Sequence, residues 1–156
     1  MLLDAKKVES YLTTNGMGQR AQVGYDLTLK GVKRIYGGSV YKDKTEVITY
    51  SEIQPSVHGI YHLQPGTYSL TFHQGVKLDE KTTAFIRHRS SVLRCGAIIT
   101  SGVYDPSFYV DEMGAVLIAY NTINLEQDAR VAQIIIMENY EAEAYAGQWL
   151  GKSDYK

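Results

Sequence analysis

From Val23 onward the chain is a succession of short runs in which apolar and polar side chains alternate: VGYDLTL, TEVITY, GIYHL, TYSLTFH, TTAFIRH, AVLIAYN and VAQIIIM. A period of two is the mark of a half-buried strand, because successive side chains face opposite sides of a sheet. Turn-forming clusters separate the runs, at Gly37-Gly38, Gln54-Pro55, Gln64-Pro65-Gly66 and Leu78-Asp79-Glu80. Many short strands at this spacing predict a mainly-β fold, a distorted β-barrel or jelly roll. Two short departures are expected. Asp4 is placed to cap an N-terminal helix whose apolar face carries Leu3, Val8, Tyr11 and Leu12, and the polar stretch from Thr13 to Gly18 stops it. Ser90-Ser91 reads as the cap of one internal helical turn through Val92, Leu93 and Arg94, with Gly96 as its exit. Residues 1–18 thus form a helical segment laid against the domain, and residues 140–156 read as a flexible C-terminal arm.

Composition narrows the picture. A chain of 156 residues fits one domain, and neither a linker nor an internal repeat divides it. The 13 tyrosines and 14 glycines against 3 prolines lean towards strands and turns. A formal net charge of −1 gives no electrostatic case for binding nucleic acid or a membrane surface. No apolar run approaches the roughly 18 residues that span a bilayer. MLLDAKKVES places its charges after a short apolar start, the reverse of a secretory signal, so a cytoplasmic protein is expected. The single cysteine, Cys95, excludes an intrachain disulfide and a cysteine-based zinc cluster, and it is expected to be a buried small hydrophobe. His58, His62, His73 and His88 have no metal-binding spacing, so no protein-built metal site is expected.

Four segments carry candidate chemistry. Arg89-Ser90-Ser91-Val92-Leu93-Arg94-Cys95-Gly96 offers hydroxyls, free amides at a helix start and a forked, permanently charged donor, which together suit an anion such as phosphate. The same residues also fit a serine-capped helix with surface arginines. In Thr100-Ser101-Gly102-Val103-Tyr104-Asp105-Pro106-Ser107-Phe108, the Asp105 carboxylate can take a proton from water, or Asp-Pro simply starts a turn. In Asp128-Ala129-Arg130-Val131-Ala132-Gln133, Val131 is expected to face the core while Gln133 lies near the strand end, as a ligand-facing amide or a structural one. In Tyr145-Ala146-Gly147-Gln148-Trp149-Leu150-Gly151-Lys152, the only tryptophan stands in a polar tail, where it packs on a ligand or on a neighbouring subunit.

Together with Gly24-Tyr25-Asp26-Leu27, and with the strand pair formed by Gln64-Pro65-Gly66-Thr67-Tyr68-Ser69-Leu70 and Val76-Lys77-Leu78-Asp79, these segments resemble in order and spacing the dUTPase/dCTP-deaminase superfamily. The resemblance covers roughly the whole chain after the first helix. It implies a dUTPase-like β-clip barrel and a homotrimer that binds a deoxypyrimidine nucleoside triphosphate between subunits, with Mg²⁺ carried on the triphosphate. It also implies roles for particular residues. Asp105 orients the attacking water. Arg89, Ser90, Ser91, Arg94, Gln133, Gln148 and Lys152 hold phosphates, Arg94 from a neighbouring subunit. Thr100, Ser101, Gly102, Val103, Tyr104 and Trp149 hold sugar and base. The leading expectation is hydrolysis of dUTP to dUMP and pyrophosphate.

Some residues depart from the deaminase branch of that superfamily. Its proton-shuttling glutamate aligns with Ile118, an apolar residue of the kind usual in dUTPases. Glu112, within an extra stretch from Tyr109 to Met113, could swing in, but a loop glutamate is a poor substitute for one fixed on a strand. The tail carries Gln148 then Lys152 where deaminases have lysine then glutamine, and the glycine-rich last motif of typical dUTPases is not visible. The alternatives are therefore dCTP deamination, alone or coupled to hydrolysis, and a non-catalytic nucleotide-binding or regulatory protein on the same fold.

Overall fold

The structure is a computed structural model that describes residues 1–14, 17–47, 50–140, 143–147 and 149–152. In chain order its elements are α1 (Ala5–Glu9), β1 (Leu12–Thr14), β2 (Gln19–Arg20), β3 (Tyr25–Ile35), β4 (Gly38–Val40), β5 (Thr45–Val47), β6 (Tyr50–Ile53), β7 (Ile60–Leu63), β8 (Gly66–Phe72), β9 (Gly75–Lys77), β10 (Thr82–His88), α2 (Ser90–Arg94), β11 (Ala97–Thr100), β12 (Tyr109–Val110), β13 (Gly114–Ala119), β14 (Ile123–Glu126) and β15 (Arg130–Glu138). The alternating runs form strands, except that TEVITY is divided between β5 and β6, with its residues 48–49 outside the described residues. The β3 strand continues through Lys30-Gly31-Val32-Lys33 to Ile35, further than the sequence pattern indicates.

Six antiparallel strands close into a barrel in the order β3, β8, β13, β11, β10, β15, with β15 pairing back to β3. Closure depends on β3 serving two neighbours. Its first half, Tyr25 to Thr28, pairs with β15, and its second half, Leu29 to Arg34, pairs with β8. A break in register between Leu29 and Gly31 marks the change of partner, and such an irregularity bends a strand as closure requires. A closed ring also leaves none of these strands with a free edge.

The interior is filled by every second residue. Leu27, Leu29, Leu70, Phe72, Ile86, Ile99, Leu117, Ile134 and Ile136 are fully buried, each worth about 1.5–3 kcal/mol of transfer free energy. Along β13, Ala115, Leu117 and Ala119 face inward, while Val116 and Ile118 are half-buried on the outer face. Around the barrel lie a small sheet of β1, β9 and β12, and the ribbons β4–β5 and β7–β14.

Asp4 caps α1 as the sequence predicts, its Oδ1 accepting from the Lys7 amide at 2.9 Å. The helix is shorter than expected, and Leu12 lies in β1, opposite Val76, rather than on a helical face. An isolated helix of this length has little stability of its own. It is held instead by the Leu3 amide on the Ile136 carbonyl at 3.0 Å and by the buried Val8.

The internal helical turn also differs in detail. Arg89 occupies the N-cap position without a side-chain capping bond, so Ser90 and Ser91 are the first helical residues rather than the cap. Cys95 is exposed at the end of α2, not buried. It is followed by Gly96 at φ +76, where a Cβ would lie 2.2 Å from the Asn121 amide nitrogen. The described tail residues are not a free arm. The Tyr145 amide donates to the Pro106 carbonyl at 2.7 Å, and the Gly151 amide to the Tyr109 carbonyl at 2.9 Å. Among the described residues no helix is long and apolar enough to cross a membrane.

Candidate functional site

Two concavities of opposite chemistry lie on the chain. The first is a polar cleft of about 490 Å³ whose walls include Gln19, Asp26, Arg89, Ser90, Arg130 and Gln133. Its centre is Asp26, only 4% exposed. One oxygen of Asp26, Oδ2, takes Arg89 Nε at 3.1 Å and Arg130 Nη1 at 3.2 Å. The other, Oδ1, takes Gln133 Nε2 at 3.5 Å. Arg89 Nη1 also donates to the Arg130 carbonyl at 3.2 Å, and Arg130 Nη1 to Gln19 Oε1 at 2.7 Å.

Strand register assembles this network. Gln19 on β2, Asp26 on β3 and Gln133 on β15 stand directly opposite one another across adjacent strands. Arg130 and Gln133 are three apart and in a regular strand would face opposite sides. The register between β15 and β3 shifts between Arg130 and Ala132, so Val131 and Ala132 are both buried and Arg130 comes round to the face of Gln133. Gly24 permits the close approach of the two strands, since a Cβ there would lie 2.4 Å from the Ile134 carbonyl oxygen.

A guanidinium carries five N–H groups in a rigid fork. The carboxylate and the neighbouring carbonyls engage only part of each fork, and Arg89 Nη2, Arg130 Nε and Arg130 Nη2 have no partner among the described residues. The result is two oriented cations on one buried anion, flanked by the Ser90 hydroxyl, an arrangement suited to a multiply charged oxyanion. α2 has only five residues, so the arginines rather than the helix dipole supply the field. The serine pair divides. Ser91 lines a separate groove with Asn124 and Glu126, which adjoins the cleft only through Arg130. Arg94 is exposed at the opposite end of α2.

The second concavity, about 330 Å³, lies between the loop after β11 and the tail, with walls that include Val47, Tyr50, Val103, Tyr104, Phe108 and Trp149. Tyr104 stacks on Phe108 with ring centroids 4.8 Å apart, and its hydroxyl donates to the Gly114 carbonyl at 3.0 Å. Tyr145 meets Phe108 edge-on at 5.3 Å, and its hydroxyl accepts from the Trp149 amide at 3.1 Å. Gly102 also lines this pocket. Thr100 ends β11 opposite Arg87 and Val116. The Ser101 hydroxyl is spent on the backbone, accepting from the Ile86 amide at 2.8 Å and donating to the Gly102 carbonyl at 2.7 Å. Lys152 is exposed, and its amide donates to the Trp149 carbonyl at 2.9 Å. Gln148 lies outside the described residues.

Asp105 projects from the same loop. It is exposed, its carbonyl accepts from the Phe108 amide at 3.1 Å, and its carboxylate has no partner among the described residues. The loop is braced from below by the turn at Asp79, whose carbonyl takes the Ser107 amide at 2.9 Å. The Asp79 carboxylate accepts from the Tyr11 hydroxyl at 2.8 Å, and from the Lys81 amide and the Thr82 hydroxyl at 2.9 Å each. Burial, the hydrogen bond to Asp79 and its negative charge push the Tyr11 phenol up to about 12. Burial works against ionisation of Asp79, but those three hydrogen bonds outweigh it and hold the carboxyl below its ordinary range.

The residues that the sequence groups into one site therefore fall in two places on one chain. Arg89, Ser90 and Gln133 share the cleft, whereas Gly102, Val103, Tyr104 and Trp149 share the apolar pocket. The two have no lining residue in common and are connected by β10. Ala84 bridges to Tyr104 at one end of that strand, and His88 lines the cleft at the other. Four residues at about 3.3 Å each put these points roughly 13 Å apart.

Glu112, the possible substitute proton shuttle, is paired with Lys30 and lines neither concavity. Ile118 stands half-buried on β13 opposite Ile98 and Thr67. Asp26 and Arg130 had no role in the sequence reading, although a lone carboxylate amid the apolar run of β3 was a usable signal. Nothing in the polar stretch around Gln19 marked it. Among the described residues no group of three or more His, Cys, Asp or Glu side chains is placed to hold a metal ion.

Residues 2–139 match the family model described as dCTP deaminase-like. A protein of Methanosarcina mazei named as a probable deoxyuridine 5'-triphosphate nucleotidohydrolase is 30% identical over 151 residues, covering 90% of this chain and 88% of that protein. The deoxyuridine 5'-triphosphate nucleotidohydrolase of Methanocaldococcus jannaschii is 28% identical over 157 residues, covering 97% of this chain and all (100%) of the relative. Among solved structures, the 2'-deoxycytidine 5'-triphosphate deaminase of Agrobacterium tumefaciens superposes with a TM-score of 0.64 at 16% identity, over 86% of this chain but 47% of that one. The native dUTPase of EIAV superposes with a TM-score of 0.56 at 13% identity, over 95% and 97% of the two chains.

Proposed function

The chain belongs to the dCTP deaminase-like family, and from that premise we propose that it hydrolyses dUTP to dUMP and pyrophosphate in a site shared between subunits of a homotrimer. The observation that carries this reading is the cleft built on Asp26, where two arginines with open N–H groups stand beside Ser90 and Gln133. These residues hold the phosphates. Sugar and base lie against Gly102, Val103, Tyr104 and Trp149. The two half-sites on one chain are chemically complementary yet separate, which supports a nucleotide whose phosphates sit on one subunit and whose base sits on the next. Arg94 and Lys152, both outside the cleft of their own chain, then approach the phosphates from neighbouring subunits.

In the reaction a water oxygen bonds to the α-phosphorus as the bond to the β-phosphate bridging oxygen breaks. Asp105 takes the water's proton, and the arginines hold the charge that passes to pyrophosphate. Such chemistry demands mainly position and charge stabilisation, so few residues suffice. The one carboxylate of the cleft, Asp26, is already engaged by Arg89 and Arg130, a donor set that fits a Mg²⁺ arriving on the triphosphate rather than one bound by the protein. When bound, that ion neutralises phosphate charge. We place the activity in the cytoplasm.

dCTP deamination is the second reading, favoured by the family description and opposed by Ile118 at the position aligned with the deaminase glutamate. The deciding experiment incubates the protein and Mg²⁺ with dUTP and dCTP separately and separates the products chromatographically. Production of dUMP from dUTP alone is expected. Any deoxyuridine product from dCTP establishes deamination, and no turnover of either with tripolyphosphate still bound makes the protein a non-catalytic nucleotide binder.

A further inference from the structure

The two-residue strand β2 carries no motif, yet it forms a wall of the cleft. Both of its residues line the cleft, but their side chains have different partners. Arg20, in register with the buried Tyr25, pairs with Glu9 of α1, which anchors the strand on one side. Gln19, in register with Asp26, faces the cleft, and its Oε1 receives Arg130 Nη1 at 2.7 Å. That contact is shorter than the 3.2 Å from the same nitrogen to Asp26 Oδ2, an oxygen that Arg89 also uses. The two acceptors together use both protons of Arg130 Nη1 and so fix the rotation of the guanidinium plane. Nε and Nη2 are left as the groups that can meet a ligand.

We propose that Gln19 is a positioning residue of the cleft, holding Arg130 in the one orientation from which its remaining N–H groups reach a triphosphate. The assignment rests on the phosphate-binding reading of the cleft. Gln19 acts through Arg130, while Arg20 and Glu9 keep β2 in place. Removing the amide leaves Arg130 tethered only through an oxygen shared with Arg89, free to turn its fork away from the ligand.

A double-mutant cycle tests this, with inorganic tripolyphosphate as the probe and calorimetric affinity as the readout. Gln19→Ala is expected to weaken binding about fivefold, the ordinary net worth of one solvent-exposed hydrogen bond. The melting temperature stays unchanged, and in turnover the loss appears in KM rather than kcat. In an Arg130→Lys background, where no fork remains to be oriented, the same substitution is expected to cost under about twofold. An equal loss in both backgrounds, or none in the native chain, overturns the proposal. Arg89→Gln separates the two levels of inference. If it weakens tripolyphosphate binding and Gln19→Ala does not, only the role of Gln19 falls. If neither does, the phosphate reading of the cleft falls with it.

Discussion

The polar cleft and the apolar pocket are built in different ways. The cleft residues sit on barrel strands, at their ends or on the short β2 paired to β3, and the strand residues are aligned by register around one buried carboxylate. The pocket is made of a loop and a tail, joined by backbone hydrogen bonds such as Tyr145 to Pro106 and by ring contacts on Phe108, with residues of β5 and β6 on its far wall. A strand scaffold holds charged groups to a fixed geometry, which is what recognition of a multiply charged anion requires. Loops close by small adjustments around a flat ring. On the proposed function, affinity for phosphate belongs to the cleft, and recognition of the nucleoside and the attacking water belongs to the loop.

Asp105 gives the sharpest separation. If chemistry belongs to the loop side, Asp105→Asn lowers kcat for dUTP by about 100-fold or more, the ordinary worth of a general base. Tripolyphosphate affinity should stay at the native value, because Asp105 does not line the cleft. Loss of phosphate binding in this variant would break the division.

The next effect is on stability. Asp26→Ala leaves Arg89 and Arg130 facing each other without their shared anion. Breaking a buried ion pair by removing one partner costs several kcal/mol, and the arginines are about one-third exposed (33% and 36%), so solvent screening reduces the expected cost to about 2 kcal/mol. For a chain of this size that lowers the melting temperature by about 4–8 °C. Phosphate affinity should fall too, since the forks lose their common tether. A variant as stable as the parent would show that register alone holds the cleft.

Much of this was legible in the sequence, for identifiable reasons. Five of the seven alternating runs became barrel strands because their apolar positions face one interior, and Asp4 caps α1 because its oxygen meets the Lys7 amide. Arg89, Ser90 and Gln133 converge as the motif resemblance implied. The pattern does not reveal a shift of register. Without the bulge between β15 and β3, Arg130 and Gln133 could not share a face, and no local feature of DARVAQ announces that extra residue. Nor does a polar stretch reveal that Gln19 will stand opposite Asp26. Cys95 is exposed rather than buried because α2 ends at Arg94, which leaves it at the helix exit rather than on the packed face.

A smaller effect tests the pocket from the ligand's side. Trp149→Ala should weaken dUMP binding about tenfold, the loss expected for an aromatic wall against a base. Tripolyphosphate binding should be untouched. Calorimetry on both ligands reads this directly, and a parallel loss on tripolyphosphate would place the tail over the cleft instead.

The smallest effect distinguishes the two regions by pH. The cleft is held by two guanidinium groups on one buried carboxylate. The loop is braced at Asp79, and there the contact with Tyr11 titrates at both ends of the scale. The Tyr11 phenol is raised to about 12 in the folded chain, above an ordinary value near 10. Its stabilisation is therefore fully present below about pH 10 and is lost as pH rises towards 12. Asp79 is depressed, so its share is present above the ordinary carboxylate value of about 3.9 and is lost as pH falls through its lower folded value. Melting temperatures of the parent and of Tyr11→Phe should differ by a constant margin through neutral pH, and that margin should narrow in strong acid and again above about pH 10. Taking the difference removes the ionisation of the other tyrosines, which both proteins share. A margin that stays flat from neutral pH to 12 would mean that Tyr11 does not brace the loop through Asp79, and the pocket would then owe its shape to the ring contacts on Phe108 alone.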